Sequence, residues 1–482
     1  MKNIPCFADF HIHPNLKSFN SGHPKPLKNM WEEIEHIKPK SAAGRFAVNN
    51  SKGVGKESQT NFYKLIEGNV RVAFISLYPM ERGFFDIRNL PKAIAGKKGI
   101  DELSAITMGY DIERIQYLRK GTDYFKELQL EYNYVKSNQG DSPCGKYAFK
   151  LANSYAELKD IVENKPNTIA GVLQIEGGHV LFDKEMLSGK LNKKEMKAKI
   201  KEHVITIKEW ETPPLMINIS HHFYNELCGH SKSFNFLVGS GFLNQRRGLE
   251  TGLTGYGIKA MKELLSNSNG RRIYIDSKHM SLQSRKEYYN WVRSYNYLNK
   301  NDNIPLIISH TGVNGFKSMT GSLIKADSET KNAKSHFFNW SINNSDEEIS
   351  LIHHTKGLMG FMLDRTKLGG GKFIKELKSI KQEEEIKDMY MRMFWDNIFQ
   401  AIRAIGEPSA WDHVCIGSDL DGGIFTMEYY DAANKFPLLY NDLYSFLRRT
   451  KYEKELWYGM KEEELLDRIF FKNVMLFCER YF

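Results

Sequence analysis

The feature that most constrains the fold is a pattern that occurs eight times along the 482 residues. Each unit has a short apolar segment, typical of a buried β-strand, and most strands are followed by a segment with helical periodicity. The predicted strands cover residues 5–13, 70–79, 168–179, 214–222, 272–279, 305–312, 357–364 and 413–423. Strands that alternate with helices predict a parallel sheet, and eight such units predict a closed barrel. We therefore expect an α/β fold, a (β/α)8 TIM-type barrel.

An open, doubly wound sheet is the alternative, because it also brings the carboxyl ends of parallel strands together. The dinucleotide-binding version of that fold carries Gly-x-Gly-x-x-Gly directly after the first strand. Here the first strand is followed by Pro-Asn-Leu-Lys at 14–17. The barrel is therefore the favoured prediction.

Two segments between predicted strands, about 22–60 and 81–165, are too long for simple crossovers. We expect one barrel over 1–482, with both segments as insertions that cover the barrel face. In the first segment, residues 27–37 show a helical pattern of apolar positions.

Composition limits the partners of the protein. The chain is 41% hydrophobic and 26% charged, as in ordinary globular proteins. Its formal charge of +10 comes from lysines scattered along the chain, which favours a solvated surface over a nucleic-acid site. The five cysteines lie far apart, without Cys-x-x-Cys, which fits a reducing compartment. We expect no nucleic-acid partner.

The ends and the hydropathy of the chain bear on localisation. No apolar signal segment precedes the first predicted strand, and no run of about 18 apolar residues could span a membrane. We expect a cytoplasmic protein without a membrane span. A signal peptide that has been removed is the remaining alternative.

Polar residues recur at the carboxyl ends of the predicted strands, which converge on one face in a barrel. Any one of them has a structural explanation, as a hydrogen-bonded core histidine or an acid that caps a helix. Their recurrence at the same end of six strands indicates a shared metal site instead. They are His11, His13, Glu176, His221, His222, His279, His310 and Asp419.

Imidazole and carboxylate ligands suit zinc, with manganese, iron and cobalt as alternatives. The proposed ligand set has five members: His11, His13, Glu176, His279 and His310. One catalytic zinc usually takes three protein ligands, so two ions that share a carboxylate fit better. We predict two divalent ions, with Zn²⁺ as the first candidate. His11 and His13 would bind one ion, His279 and His310 the other, and Glu176 would bridge them.

The last predicted strand ends in Asp419, with Asp421 two residues later. A carboxylate beside a metal-bound water can take its proton and pass it to a leaving amine. We assign this role to Asp419, because it directly ends the strand, and Asp421 is the competing candidate.

With these motifs in view, the sequence resembles the membrane (renal) dipeptidase family of the amidohydrolase superfamily. Ile-Glu-Gly-Gly-His at 175–179 is similar to the element that carries the family's bridging glutamate. Ile-Asp-Ser-Lys-His-Met-Ser at 275–281 and Ile-Ser-His at 308–310 resemble its two ligand-bearing histidine motifs. Gly-Ser-Asp-Leu-Asp-Gly at 417–422 resembles Gly-x-Asp-Phe-Asp-Gly, and Asn-Ile-Ser-His at 218–221 resembles its substrate-contacting histidine element.

The resemblance implies a metallohydrolase that cleaves the amide bond of dipeptides or related small amides through a metal-bridged hydroxide. Either His221 or His222 would contact the substrate. Two alternatives stay open: another amidohydrolase activity, such as a lactonase, deaminase or phosphoesterase, or a metal-binding barrel without activity. A homodimer is also an open option.

Two departures from the family pattern affect the predicted site. The first strand carries His11-Ile12-His13 where the family has His-x-Asp, so this metal position has one negative charge less. The family's substrate-binding arginine precedes an Asn-x-Pro-Asp-Asp helix start, and the matching stretch 341–347 has no arginine. The group that would pair with a substrate carboxylate is therefore either missing or supplied elsewhere, with Lys317 and Arg365 as the candidates.

Overall fold

The computed structural model describes residues 6–35, 37–50, 57–86, 97–234, 243–324, 330–331 and 336–482. Residue 5 of the first predicted strand and residues 36, 51–56 and 87–96 of the two predicted insertions lie outside this part. The described strands are β1 (Phe7–Ile12), β2 (Val70–Leu77), β3 (Gly140–Asp141), β4 (Ala148–Leu151), β5 (Thr168–Glu176), β6 (Met216–Asn218), β7 (Tyr274–Asp276), β8 (Ile307–Thr311), β9 (Thr330–Lys331), β10 (His336–Phe337), β11 (Leu358–Phe361) and β12 (Val414–Ile416).

Eight of these strands form a nearly closed barrel in the order β1-β2-β5-β6-β7-β8-β11-β12. Every neighbouring pair in this order is parallel. The eight strands are the eight that the sequence predicts, so the (β/α)8 TIM-type barrel is confirmed.

The first and last strands meet through the residues that follow them. The amide of Asp419 donates to the carbonyl of His11 at 2.9 Å, and the amide of His13 donates to the carbonyl of Leu420 at 3.2 Å. Below them, buried Asp9 accepts from both the amide and the hydroxyl of Ser418. These bonds hold the carboxyl ends of β1 and β12 side by side.

The strands follow the rule for parallel sheets that are covered on both faces. All six residues of β1 and all eight of β2 are buried, including Phe10 and Phe74, whose ring centroids lie 4.6 Å apart. Continuous apolar runs rather than alternating patterns are what such strands require. This packing gives the strand ends a rigid base.

Helices surround the barrel: α1 (Leu16–Phe19), α2 (Ala42–Asn50), α3 (Phe62–Glu67), α4 (Lys97–Met108), α5 (Ile112–Lys120), α6 (Tyr124–Ser137), α7 (Tyr155–Asn164), α8 (Lys193–Lys208), α9 (Gly255–Leu265), α10 (Leu282–Leu298), α11 (Met319–Ile324), α12 (Asp346–His354), α13 (Arg365–Leu377), α14 (Glu383–Ile405), α15 (Phe436–Thr450), α16 (Glu462–Asp467) and α17 (Asn473–Tyr481). Among the described helices, none combines the length and the apolar character needed to cross a bilayer.

The helical pattern over 27–37 is a wrong prediction, because the described residues of this stretch form turns and extended chain. Met30 and Trp31 are buried, which explains the apolar periodicity. Their backbone amides donate to side chains instead of to a helix: Met30 to Asn138 Oδ1 and Trp31 to Asn29 Oδ1, both at 2.9 Å. Local side-chain acceptors of this kind compete with helix formation.

The segment 81–165 contains a feature that its polar, helical pattern did not predict. After α6 the chain forms the antiparallel pair β3–β4, and β4 then runs parallel to the first half of β5, with Ala148 opposite Thr168. Strands of two and four residues are too short to show a period. The hairpin extends the sheet at the start of β5, away from the carboxyl ends.

Candidate metal centre and substrate cavity

The carboxyl ends of the strands bring four histidines and one glutamate together. His11 lies in β1 with His13 just after it, Glu176 ends β5, His310 lies in β8, and His279 follows β7 by three residues. All five side chains are buried. The clustering that the sequence predicts from separate strand ends is therefore present.

The first imidazole pair faces two carboxylates. His11 Nε2 and His13 Nε2 lie 3.1 Å apart. His13 Nε2 is 3.2 Å from Glu176 Oε2 and 3.4 Å from Asp419 Oδ1. Because a zinc–nitrogen bond is about 2.0–2.1 Å, two tetrahedral nitrogen ligands lie roughly 3.3 Å apart, so this pair fits one ion.

The second imidazole pair has the same spacing and a different neighbour. His279 Nε2 and His310 Nε2 are 3.1 Å apart, and they lie 3.2 Å and 3.6 Å from Glu176 Oε1. Glu176 Oε1 also lies 3.6 Å from His11 Nε2, so this oxygen is near both pairs, whereas Oε2 faces His13. This arrangement fits two ions that share the glutamate.

Backbone conformation places several of these groups. Gly177 has φ +98°, and a Cβ there would lie 2.4 Å from the His179 ring. Because only glycine tolerates both conditions, Gly177 lets the chain turn directly after Glu176. His279 and Asp419 adopt φ +66° and +60°, which is strained for residues with a side chain. Such strain concentrates at functional sites.

The two candidate acids at the end of the last strand have different surroundings. Asp419 Oδ1 faces His13 and lies 3.8 Å from His11 Nε2. Asp421 accepts hydrogen bonds from the amides of Gln59 and Thr60, and it forms a 2.7 Å ion pair with Lys17. Asp421 therefore anchors the loop before α3, whereas Asp419 faces the imidazoles.

His221 and His222 both lie beside this cluster, in the loop after β6. His221 Nδ1 donates to Glu81 Oε2 at 2.6 Å, which leaves Nε2 facing Glu176 Oε1 at 3.5 Å. His222 Nδ1 lies 2.8 Å from Ser233 Oγ. Glu81 also accepts from the backbone amide of Phe223 and so fixes the loop.

Charges in the cluster shift the pKa values of these groups. Burial opposes ionisation of Glu81, but His221 more than offsets it and lowers the pKa of Glu81 to about 2. Burial likewise acts against the charge of Glu176, and the surrounding imidazoles hold its pKa well below the usual range. Both glutamates are thus anionic at neutral pH.

The pKa of a histidine in the first pair is raised, whereas the pKa values of both histidines in the second pair are lowered. Burial disfavours the charged form of His13, but hydrogen bonds to Asp419 and Glu176 outweigh it and raise its pKa to about 10. For His279, burial and the charge of His221 lower the pKa to about 3. Burial and the charge of His11 hold the pKa of His310 well below its ordinary value.

Both expected replacements for the family's arginine bind acids elsewhere. Arg365 Nη1 donates to Glu428 Oε1 at 2.6 Å and to the Tyr390 hydroxyl at 3.1 Å. Lys317 pairs with Asp346 at 2.9 Å, with 87% of its side chain exposed. The described residues that line the cavity include neither of them.

A cavity of about 190 Å³ opens above the histidines. Phe84, Met108 and Tyr110 from the segment 81–165 line one side, and Ile342 from the stretch that lacks the arginine lines another. Lys278, next to His279, also lines it. Its side chain is 1% exposed, and burial lowers the pKa of its ammonium to about 7.

Two residues of this site, Glu81 and Lys278, escaped the sequence analysis. Glu81 opens the segment 81–165 and has no motif of its own. Lys278 stands within the Ile-Asp-Ser-Lys-His motif at 275–279, and a lysine at the end of an apolar strand was a usable signal.

No protein-family model matches this sequence, and no curated protein sequence matches it. Comparison with solved structures does find similar folds. A dipeptidase described as a metallopeptidase of family M19 has a TM-score of 0.52 and 14% identity, with 99% of each chain covered.

Two further solved structures have a similar fold. A metallopeptidase from Rhodobacter sphaeroides, liganded with a phosphinate mimic of the dipeptide L-Ala-D-Ala, has a TM-score of 0.52 and 12% identity over 100% of both chains. The probable dipeptidase PvdM from Pseudomonas aeruginosa has a TM-score of 0.51 and 13% identity, covering 98% of this chain and 94% of that one. At this identity the likeness concerns the fold, and in its fold this chain is a divergent counterpart of the membrane dipeptidase-like metallopeptidases.

Proposed function

We propose that this protein is a metal-dependent hydrolase that cleaves the amide bond of dipeptides or related small amides. The observation that carries the proposal is the pair of buried imidazole pairs, each with Nε2 atoms 3.1 Å apart, around the shared carboxylate of Glu176. Two divalent ions fit this donor set, with zinc as the first candidate because the ligands are imidazole and carboxylate.

Ions bound there would make a water more acidic and polarise the carbonyl of the substrate. We assign to Asp419 the role of taking a proton from the attacking water. In support, its Oδ1 lies 3.4 Å from His13 Nε2 at the cavity wall. The same carboxyl then delivers the proton to the leaving nitrogen, which must be protonated to depart as an amine.

His221 is the proposed substrate contact. Its Nδ1–H is held by Glu81, so its Nε2 is directed at the cavity beside Glu176. Burial acts against the charge of His221, but Glu176 and Glu81 outweigh it and raise its pKa, which favours the imidazolium. In that form Nε2–H can donate to the carbonyl oxygen of a bound amide without reorganising. Glu81 is the positioning residue for His221.

The volume of the cavity favours a small substrate. We propose that residues 1–482 form one barrel unit, with 22–60 and 81–165 as insertions at the cavity. In support, Phe84, Met108 and Tyr110 line one side of a space of about 190 Å³. The ligand of the R. sphaeroides metallopeptidase, a dipeptide mimic, makes dipeptides the first class to test.

The experiment is a turnover assay after the metal content has been measured by elemental analysis. Protein loaded with zinc or manganese is offered dipeptides, small esters, lactones and phosphoesters. Release of amino acids from dipeptides, abolished by a chelator and restored by metal, is the expected result. Turnover of only esters, lactones or phosphoesters would replace the dipeptidase assignment with another hydrolase activity. Bound metal without turnover of any class would favour an inactive barrel.

A further inference from the structure

Lys278 is a buried amine whose partner is missing from the described part of the chain. Its Nζ is inaccessible to solvent and has no hydrogen-bond partner there. The backbone around it is satisfied, because the amide of Lys278 donates to Asp276 Oδ1 at 3.0 Å. The unsatisfied group is therefore the side-chain nitrogen alone.

A buried amine without a hydrogen bond is costly in either protonation state, so such groups in native proteins normally have a partner. None of the nearby acids hydrogen-bonds this nitrogen. Asp276 accepts at Oδ1 from the amides of Lys278 and Ser309, and its buried Oδ2 makes no bond to Lys278 Nζ. Glu176 faces the four histidines, and Asp419 faces His13. A group from outside the chain is left as the partner of Lys278, and an anion suits it best.

The other cavity lysines differ from Lys278 because the protein itself binds them. Lys17 pairs with Asp421 at 2.7 Å and donates to the carbonyl of Glu57. Lys367 donates to the carbonyl of Ser233 and lies 4.8 Å from the centre of the Phe338 ring.

Lys278 also lies where it could replace the arginine that the resemblance to the dipeptidase family leads us to expect. The stretch 341–347 has no arginine, and its Ile342 lines the cavity. Lys278 lines the same cavity directly beside His279. A cation is thus present at the cavity, and the segment after β7 supplies it instead of the stretch 341–347.

We propose that Lys278 is a specificity-determining residue that binds a carboxylate of the substrate. The proposal deepens the proposed function and rests on it. It narrows the substrate class to small amides that carry a free carboxylate, such as dipeptides with an unblocked carboxyl terminus.

The test measures binding of a phosphinate dipeptide mimic by calorimetry to the metal-loaded protein. The mimic is used in two forms, with a free carboxylate and as the matching carboxamide. Wild-type protein should bind the carboxylate form about 10- to 100-fold more tightly, as expected for a hydrogen bond between charged groups. Lys278→Met should remove this preference, and Lys278→Arg should restore part of it.

Lys367→Met is the matched control, because it removes a cavity lysine whose ammonium already has a protein partner. It should keep most of the preference for the carboxylate form. Loss of the preference in Lys367→Met but not in Lys278→Met would overturn the assignment.

The two forms of the mimic separate the two proposals. If wild-type protein binds both forms equally well, the role of Lys278 is wrong while the hydrolase proposal stands. If neither form binds, both proposals fail. The wild-type comparison needs no variant, so equal binding of both forms overturns the role of Lys278 even if Lys278→Met does not fold. In that case Lys278→Arg, which keeps a cation, assigns the preference.

Discussion

In both imidazole pairs of the candidate centre the Nε2 atoms lie 3.1 Å apart, but the two pairs have different charged neighbours. His11 and His13 lie at the carboxyl end of one strand, β1, and face two carboxylates, Glu176 and Asp419. His279 and His310 come from different strands and share the single carboxylate of Glu176. Similar geometry therefore does not make the two positions equivalent.

This difference determines which pair must lose a proton before it can bind a metal ion. The pKa of His13 is raised to about 10, so without metal this histidine holds a proton at neutral pH. The pKa of His279 is lowered to about 3 and that of His310 lies well below its ordinary value, so both are neutral. Because only a neutral imidazole ligates a metal, the first position must lose a proton and the second need not.

The largest expected effect comes from Glu176→Ala, which removes the carboxylate common to both pairs. Metal content should fall from about two equivalents to well below one, since the two ions lose their shared ligand and the anion that balances their charge. Elemental analysis measures the content, and circular dichroism should show little unfolding because the apolar strands support the barrel.

Asp421→Asn is the matched control for this loss, since it removes a buried acid that contacts Lys17 rather than the histidines. It should lower the melting temperature and retain the metal. An unchanged metal content in Glu176→Ala would show that the ligand set is wrong.

Asp419→Asn tests the acid that distinguishes the first pair from the second. The variant keeps the size of the side chain but cannot carry the proton, so kcat should fall by about 100- to 10,000-fold. The KM for a dipeptide should change little. Steady-state kinetics on the metal-loaded protein measures both constants.

A loss in KM alone would assign Asp419 to substrate binding. If Asp421→Asn, tested beside it, reduced kcat as strongly, the proton-transfer role would belong to the other aspartate.

His13→Asp would break the contrast between the pairs by adding a charge to the first. Aspartate is not protonated at neutral pH, so no proton competes with the ion, and the added charge attracts it. The first ion should bind about 10- to 100-fold more tightly, as measured by competition with a chelator. The affinity of the second ion is the internal control and should stay within a few-fold. Weaker binding of the first ion would contradict this account.

The smallest effect is a difference in proton release. Binding of the first ion at pH 7–8 should expel about one proton more than binding of the second, because His13 starts protonated and His279 does not. The affinity of the first position should consequently rise with pH up to about 10. Calorimetry in two buffers of different ionisation enthalpy counts the protons. Equal release at both positions would show that the pairs are electrostatically alike.

The barrel was predictable because each of its strands is a local signal. Continuous apolar runs such as 70–77 and 168–176 can only be buried, and their alternation with helical segments leaves few topologies. The prediction of a helix over 27–37 was wrong because the structure of this stretch depends on contacts with distant residues. The apolar Met30 and Trp31 are buried, with Trp31 against the rings of Phe62 and Tyr63 in α3. Distant Asn138 satisfies the amide of Met30.

The metal-binding candidates were predictable as a set because parallel strands end on the same face. Their individual environments were not. Nothing in the stretch 417–422 shows that Asp421 pairs with Lys17 while Asp419 faces His13. Nor did the sequence show that Arg365, a candidate for the substrate cation, pairs with Glu428, because that acid is 63 residues away.

The sequence by itself determined the architecture and the kinds of ligand, since both follow from the order of apolar segments and the residues that end them. Only the tertiary structure decided the charge of each group. The protonation of His13, the neutrality of His279 and the unpaired amine of Lys278 depend on burial and on acids brought together from several strands. Electrostatic energies vary with distance and local dielectric, and neither quantity is written in the order of residues.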